Sequence, residues 1–309
     1  MTTKFNRNYK LTIQEDGKDA IIIEYPLTIE FTIQRATWSM SGTGKIRIYN
    51  LSKVTRRAIY KNPIEVSRFI RCKLEAGYGD NLSTIFDGDI KWARSSRAEG
   101  SVDFITELDV FNYAFVVDKS ESPWSVDDAG KTAPPYATSK DQVIRRLCSD
   151  LKYPQDDELV SMPIGAIGSF DKAKRRSYVA NGNTWDQLKT ETDGKCFIDD
   201  GKVYCLGINE VIDGDITEIS SETGLLGTPK VDGMYLMFDI LFEQSLKIGQ
   251  KVDLKSDTLT DFNGVYKVIA VTHSGTISGA VSGKCVTSVT LMVGSAGKED
   301  PFTTVKQGL

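Results

Sequence analysis

A chain of 309 residues is too long for one small domain and predicts two or three. Its net charge of −4 and its pI of about 5.3 exclude a surface built as a whole to bind nucleic acid. The sequence has no apolar run of the roughly 18 residues that a membrane-spanning helix needs, and its first residues lack the apolar core of a secretory signal. We therefore expect a protein that is made and assembled in a cytoplasm, with no stable membrane insertion.

The first third of the chain alternates apolar and polar residues with the period of two that is typical of half-buried strands. One short helix interrupts the strands, with Ser52 as its N-cap and an apolar face formed by Val54, Ala58 and Ile59. Residues 1–118 are therefore expected to form an antiparallel β-barrel, or a sandwich, as the first domain. The predicted strands cover residues 27–33, 46–48, 70–76, 86–92 and 102–110.

The middle of the chain has a different residue pattern, with signals for helices. Residues 119–137 are rich in proline and predict a connecting loop. A capping box at Ser139–Gln142 begins one helix, and a second capping box at Thr184–Gln187 begins another that ends at Gly194. With the hairpin that follows, residues 119–222 are expected to form a small α+β domain.

The five cysteines are an odd number, widely scattered and without a CxxC pair, so they predict neither a disulfide framework nor a zinc site. Asp200-Gly201 favours a type I′ hairpin turn. This turn sets Cys196 directly opposite Cys205, where side chains lie closest. The spacing permits a disulfide, while a reducing cytoplasm favours two buried thiols, and the sequence leaves both open.

The last part of the chain returns to strands, near residues 252–254, 265–272 and 286–293, and predicts a second barrel domain at residues 223–309, with a loose polar tail from residue 294. A short pattern recurs between the two outer domains. Phe86-Asp87-Gly88 follows Ala76 at a distance of ten residues, and Phe262-Asn263-Gly264 follows Val252 at the same distance. This repeat predicts two related barrels on either side of the middle domain.

Three short patterns suggest chemistry without completing it. His273 is the single histidine, and a hydrogen-bonding role near a strand end is the interpretation that we favour. Ser41–Lys45 lacks two required residues of a phosphate-binding loop and is interpreted as a hairpin loop. Asp213–Thr217 lacks ligands of a calcium loop and is interpreted as a turn. We predict no catalytic residue, no metal site and no cofactor.

Two charged groups deserve separate hypotheses. Asp87 and Asp89 are carboxylates about 7 Å apart on one strand face, a spacing that resembles an inverting glycosidase. Because Trp92 falls on the opposite face with Phe86, it cannot form a platform for a sugar ring beside the carboxylates. We therefore interpret the two carboxylates as exposed to solvent. The basic run at residues 172–176 is typical of a nucleic-acid patch or of a loop that docks on an acidic neighbour, and the acidic pI favours the second.

The order of several short phrases resembles the baseplate hub proteins of contractile-tailed phages, the Mu-like kind. No single phrase is diagnostic, but together they span nearly the whole chain. They are Pro26–Phe31, Lys45–Ser52, Leu74–Tyr78 and Ile85–Ile90 in the first domain, Gly182–Leu188 and Asp199–Tyr204 in the middle, and Gly227–Pro229, Ile248–Val252, Asn263–Val268 and Val271–Gly275 at the end.

The resemblance implies a structural protein of the virion tail baseplate. It implies a homotrimeric ring whose six related barrels join a sixfold tail tube to a threefold spike around a channel for DNA. The implied partners are the tail tube or a tube-initiator protein, the central spike, other baseplate proteins and the tape measure protein, with DNA only as passing cargo. The family has no catalytic residues to carry over.

Two other functions stay open at this point. A tail-associated glycan hydrolase would use Asp87 and Asp89, and a cell-wall-binding module would need exposed aromatic residues. The sequence offers no exposed aromatic cluster in favour of the second. It leaves open which residues line the channel, and whether the tail is contractile or flexible.

Overall fold

The computed structural model describes residues 4–37, 42–97, 100–126, 138–156, 158–172, 174–175, 178–281, 283–292 and 302–307. Its first elements are β1 (Arg7–Glu15), β2 (Ile21–Glu24), β3 (Ile29–Ala36), β4 (Thr43–Tyr49), α1 (Lys53–Ala58), β5 (Ile70–Tyr78), β6 (Asn81–Arg97), β7 (Phe104–Phe111) and α2 (Ala114–Lys119).

The middle of the chain has mostly short elements. They are β8 (Trp124–Val126), β9 (Thr138–Ser139), α3 (Lys140–Asp150), β10 (Lys152–Gln155), β11 (Glu158–Ser161), β12 (Ile164–Ile167), β13 (Lys174–Arg175), β14 (Tyr178–Ala180), α4 (Thr184–Thr192), β15 (Cys196–Asp199), β16 (Lys202–Cys205), β17 (Glu210–Ile212) and β18 (Thr217–Ser220). The chain continues with β19 (Leu225–Asp232), β20 (Tyr235–Leu241), β21 (Lys251–Lys255), a 3-10 helix (Thr260–Phe262), β22 (Gly264–Ile277), β23 (Cys285–Met292) and β24 (Thr303–Val305).

One sheet of 13 strands dominates this mainly β fold. Its order is β19-β20-β23-β22-β3-β4-β7-β6-β5-β1-β2, with β21 attached to β22 and β18 attached to β21. Among the described residues no sheet closes into a barrel, so the prediction of two closed barrels is wrong in that respect. Residue alternation predicts which face of a strand is buried, but closure depends on which distant strands pair at the ends of the sheet.

The two ends of the chain meet within this sheet. β3 pairs antiparallel with β22 over eight residues, from Ile29 opposite Ile277 to Ala36 opposite Ala270. On β3 the alternation predicted from the sequence is observed, since Ile29, Phe31 and Ile33 are buried and the residues between them are not. This pairing makes one continuous sheet of strands that lie more than 200 residues apart in sequence.

A single pattern of strand pairing occurs twice. We call the strands β3-β4-β7-β6-β5 the first unit and the strands β19-β20-β23-β22-β21 the second unit. In each unit all four neighbouring pairs are antiparallel. Each unit also has one long strand, β6 or β22, with a β-bulge in the ladder to the following strand.

Buried apolar side chains form three clusters. The first is built mainly from β1 to β7, the second from α2, α3, α4 and the β15–β16 hairpin, and the third mainly from β19 to β23. The first cluster also includes Phe242, Ile277 and Cys285 from the C-terminal part of the chain. The division at residues 1–118, 119–222 and 223–309 stays a prediction.

The helices agree with the sequence in part. Ser139 and Gln142 form the predicted capping box of α3, and Ser52 caps α1. Helix α4 is capped by Asn183, one residue before the predicted Thr184, because the Asn183 side chain accepts the Asp186 N–H. The predicted apolar face of α1 is wrong, since Ile59 is buried beyond its end while Val54 is 78% exposed.

Other differences concern lengths and ends. The predicted strand at 86–92 extends over all of β6, and the strand at 102–110 begins at Phe104, which leaves Val102 exposed. In the predicted tail, residues 293–301 and 308–309 lie outside the described residues, while β24 pairs with β17. Residues 127–137 of the predicted loop also lie outside them.

Gly88 is a position where the sheet leaves no room for a side chain. A Cβ atom there would lie 2.2 Å from the Phe111 carbonyl oxygen, a backbone atom that cannot move without breaking the β6–β7 ladder. We expect Gly88→Ala to lower the free energy of unfolding by about 1–3 kcal/mol, measured by denaturant titration. The matched control is Gly214→Ala, where a Cβ meets nothing within 4 Å, and a change of similar size in this control would contradict the explanation.

Candidate functional site

Five neighbouring strands, β22, β3, β4, β7 and β6, present one polar face to solvent, which we call the solvated face. Glu30, Arg47, Glu107 and Arg94 lie directly opposite one another across the last four of these strands. Arg47 is 3.9 Å from Glu30 and 3.0 Å from Glu107, and Arg94 is 3.0 Å from Glu107. These four residues form a row of alternating charge, the charge row.

Adjacent rows on the same face are polar. Ser274, Thr32, Lys45 and Asp109 form a second row in register, which ends at Trp92 of β6. The face encloses an open groove of about 710 Å³ between strands β22, β3, β4 and β7. It is therefore a concave, hydrated surface on which most charges have a partner of opposite sign.

Behind this face, a buried polar cluster joins three parts of the chain. Arg35 of β3 is 2% exposed, and its guanidinium donates to both Asp199 oxygens at 3.3 Å and to the Leu246 carbonyl at 2.8 Å. Its Nη2 also lies 3.0 Å from Nε2 of His273 on β22. Arg35 thus connects the first unit, the second unit and the β15–β16 hairpin through one side chain.

The chemistry of this cluster assigns the histidine. A guanidinium can only donate, so Nε2 of His273 accepts, and the neutral ring carries its proton on Nδ1, which lies 3.0 Å from the Thr287 hydroxyl. Burial and the nearby Arg35 charge hold the pKa of His273 well below 6.5. The hydrogen-bonding role predicted for this histidine agrees with the geometry, since both ring nitrogens are engaged inside the protein.

The aspartate pair predicted to be solvated is buried instead, so that prediction is wrong. Asp87 is 5% exposed and accepts two hydrogen bonds from Arg71, at 3.0 and 2.7 Å. Asp89 is 3% exposed and accepts the Ala114 N–H at the start of α2 at 2.6 Å. The physical reason is that α2 and Tyr113 pack over this part of β6. The alternation of residues along a strand gives no indication that a helix packs over that face of the sheet.

The other predicted positions have simpler outcomes. Of Asp213–Thr217, residues 213–216 form an exposed bend, and Thr217 begins β18. Of Ser41–Lys45, Ser41 lies outside the described residues and Thr43 begins β4. Of the basic run, Lys172 is exposed, while Ala173 and Arg176 lie outside the described residues.

The predicted hairpin register is confirmed, with Cys196 directly opposite Cys205 and a turn at Asp200-Gly201 in which both residues have positive φ. All five cysteines are free and buried, and the Cys205 sulfur lies 3.8 Å from that of Cys148. In the part of the chain that the structure describes, no three His, Cys, Asp or Glu side chains converge as a metal site. Nor does any helix in those residues have the length and apolar character to cross a membrane.

Sequence reasoning missed the charge row. Alternation along each strand indicated the solvent-facing positions of Glu30 and Arg47, but the pairing of β4 with β7 spans some sixty residues and no local pattern encodes it. Helix α2 was also missed, because its N-cap residue, Tyr113, has a left-handed backbone conformation and makes no capping hydrogen bond through its side chain.

A family model described as baseplate hub gp41 matches residues 173–275. The fold resembles that of the tail protein from Neisseria meningitidis MC58, with a TM-score of 0.53, 12% identity, and coverage of 97% of this chain and 100% of that chain. It also resembles the 43 kDa tail protein of prophage MuSo2 from Shewanella oneidensis, with a TM-score of 0.57, 8% identity, and coverage of 92% and 97%. No curated protein sequence shows a significant match.

A third similar structure is an E. coli component of the type VI secretion system, described as structurally similar to the T4 bacteriophage tail proteins gp27 and gp5. Its TM-score is 0.55 at 11% identity, with coverage of 94% of this chain and 78% of that chain. The fold is therefore that of phage tail proteins and of their counterparts in type VI secretion. The predicted resemblance to the phage baseplate hub family is confirmed, and the matches together support a structural protein of a phage tail baseplate.

Removing Arg35 should leave Asp199 buried without its counter-ion. We expect Arg35→Ala to lower the free energy of unfolding by about 3–5 kcal/mol, measured by denaturant titration. Arg47→Ala on the solvated face is the matched control, for which about 0–1 kcal/mol is expected because its ion pairs are exposed. Equal losses in the two variants would contradict a special role for the buried pair.

The buried carboxyl of Asp89 should make stability depend on pH. Burial raises the pKa of Asp89 from 3.8 to about 6, against the opposing effect of Lys61. The folded state then binds the additional proton between about pH 4 and pH 6, so stability falls as pH rises through that range. The free energy of unfolding should change by on the order of 3 kcal/mol over this range because of Asp89. Asp89→Asn should abolish this change, measured by urea titrations at a series of pH values.

The control for this measurement is Asp213→Asn, which removes an exposed carboxylate of the turn. If Asp89→Asn and Asp213→Asn change the pH slope by the same amount, the burial of Asp89 is not its cause.

Proposed function

We propose that the protein is the hub of a phage baseplate, a homotrimeric ring that joins the sixfold tail tube to the threefold central spike and has no catalytic role. The observation that carries the proposal is the repeated pairing pattern of the first and second units. Three chains with two similar units each present six similar units, so a threefold ring can match a sixfold partner. The likeness to proteins described as tail proteins supports this reading.

The solvated face is suited to the wall of a channel through which DNA passes. Double-stranded DNA has about one negative charge per 1.7 Å of its axis, so unpaired arginines on a wall would hold its phosphates. In the charge row, Arg47 and Arg94 are each paired with Glu107 instead. Such a wall attracts and repels a polyanion weakly, as passing cargo requires.

The expected partners follow from this position in the tail. The ring would bind the tail tube or a tube-initiator protein on one side and the central spike on the other, with other baseplate proteins around it and the tape measure protein in the channel. The E. coli neighbour described as similar to both gp27 and gp5 is consistent with contact between a hub and a spike. The protein would then belong to the virion tail and be assembled in the host cytoplasm.

The glycan hydrolase alternative gains nothing from the geometry. Asp87 is held in two hydrogen bonds by Arg71, and Asp89 lies under α2, so these two carboxyl groups do not flank an open cleft. No described feature favours the cell-wall-binding alternative over the structural hub.

Light scattering coupled to size-exclusion chromatography tests the ring. We expect the full chain to have a mass of three times 34.2 kDa, and images of purified tails to show threefold density at the baseplate. A protein that is strictly monomeric at all concentrations and absent from purified tails would contradict the proposal. Presence in tails with six copies per ring would contradict the trimer while leaving a role in the baseplate intact.

A further inference from the structure

One junction inside the chain joins the two units. β3, the first strand of the first unit, pairs with β22, the long strand of the second unit. The equivalent strands are β19, the first strand of the second unit, and β6, the long strand of the first. In the part of the chain that the structure describes, β19 pairs with β20 alone, and residues 92–97 of β6 pair with β7 and otherwise make only the bridge between Ala93 and Lys61. β19 therefore has a free edge, and β6 has one over residues 94–97, because the N–H and C=O of Ala93 are already bonded to Lys61.

We infer that β19 of one copy pairs antiparallel with the second half of β6 in the next copy, so that the contact between copies repeats the β3–β22 junction. The inference rests on the proposed ring and names the surfaces that close it. Because the two surfaces are different parts of one chain, the contact is head-to-tail, the type that closes into rings. The two strands lie far apart in the strand order, with six strands between them, as such a contact requires.

The bulges of the long strands align β6 with β22. After the bulge, pairing with the next strand resumes at Ala270 in β22 and at Trp92 in β6. Two residues further along, Thr272 of β22 is therefore equivalent to Arg94 of β6. Inside the chain, Thr272 lies directly opposite Gln34 of β3.

The hairpins align β19 with β3. Gln34 pairs with Thr43, the first residue of β4, and Asp232 pairs with Tyr235, the first residue of β20. Asp232 is therefore equivalent to Gln34. The repeated junction sets Asp232 of one copy directly opposite Arg94 of the next.

This register is chemically complementary. Arg94 stands at the open end of the charge row, which runs from Glu30 through Arg47 and Glu107. Asp232 of the next copy continues the alternation of sign. A carboxylate opposite a guanidinium at such a contact favours one register over its neighbours, since a slip of the ladder separates the pair.

The neighbouring positions support the same register. Met234, which is 57% exposed, lies in the turn directly after Asp232 and adds apolar surface at that end of the contact. Pairing ends beyond Lys230, because Pro229 lacks an N–H and a bulge interrupts β19 between Leu226 and Lys230. The ladder between copies is therefore short, and side chains must supply much of its free energy.

The wider charge distribution also favours a second copy as the occupant of these edges. Residues 53–68, the segment of α1 and of Lys61 beside β6, contain five Lys and Arg against one Glu, a net charge of +4. Residues 210–261, which include β19, contain eleven Asp and Glu against four Lys, a net charge of −7. The two surfaces of one chain therefore attract each other when copies meet head to tail. Two copies of the same surface repel each other.

An engineered disulfide tests the register. Two residues beyond Arg94, Ser96 falls directly opposite Lys230 of the next copy, and both positions are exposed. In the Ser96→Cys, Lys230→Cys double variant of the full chain, we expect mild oxidation to link most chains into covalent dimers and trimers on non-reducing gels, reversed by reductant. The native cysteines are all buried and should not react. Arg94→Cys with Asp232→Cys tests the neighbouring position in the same way.

The matched control is Ser96→Cys with Lys152→Cys, which places an equally exposed thiol on β10, outside the contact. The control and both single variants should stay unlinked. An oligomer, shown by light scattering, in which neither test pair is linked above the control would overturn the contact and leave the ring standing. A wild-type chain that stays monomeric would overturn ring and contact together.

Discussion

The pairing of β3 with β22 is the constraint on which the rest of the structure depends. It brings together residues 29–36 and 270–277, and loop closure over such a separation costs conformational entropy that local contacts do not repay. Arg35 sits within this junction and reaches the β15–β16 hairpin through Asp199. Without the junction, each unit would be a separate sheet with a hydrated face of its own. With it, the chain presents one continuous surface.

Charges are used in two different ways on the two sides of this sheet. Behind it, Arg35 and Asp199 are almost fully buried, so the attraction between their charges is largely offset by the cost of removing both from water. In front of it, Arg47, Glu107 and Arg94 are partly exposed, so their ion pairs add little free energy. What the exposed row determines is the electrostatic character of the solvated face.

The repetition of one pairing pattern explains why two strands of this chain have an edge without a partner strand. Each unit offers a first strand and the second half of a long strand, and the β3–β22 junction uses one of each. β19 and residues 94–97 of β6 keep a free edge. Open strand edges are a liability for a protein that remains a monomer. In a ring built from copies of this chain they have a use.

The sequence by itself determined the local features of this protein. Alternation assigned the buried side of β3, Asp200-Gly201 fixed the register of Cys196 against Cys205, and Ser139 marked the start of α3. These signals are encoded by residues close together in the chain.

Only the tertiary structure decided that Asp87 and Asp89 are buried under α2 and its flanking residues, that the sheet stays open where two closed barrels were expected, and that Glu30, Arg47, Glu107 and Arg94 form one row. Each of these depends on which distant strands and helices meet. That choice is made by packing and pairing over the whole chain, and no local pattern of residues encodes it.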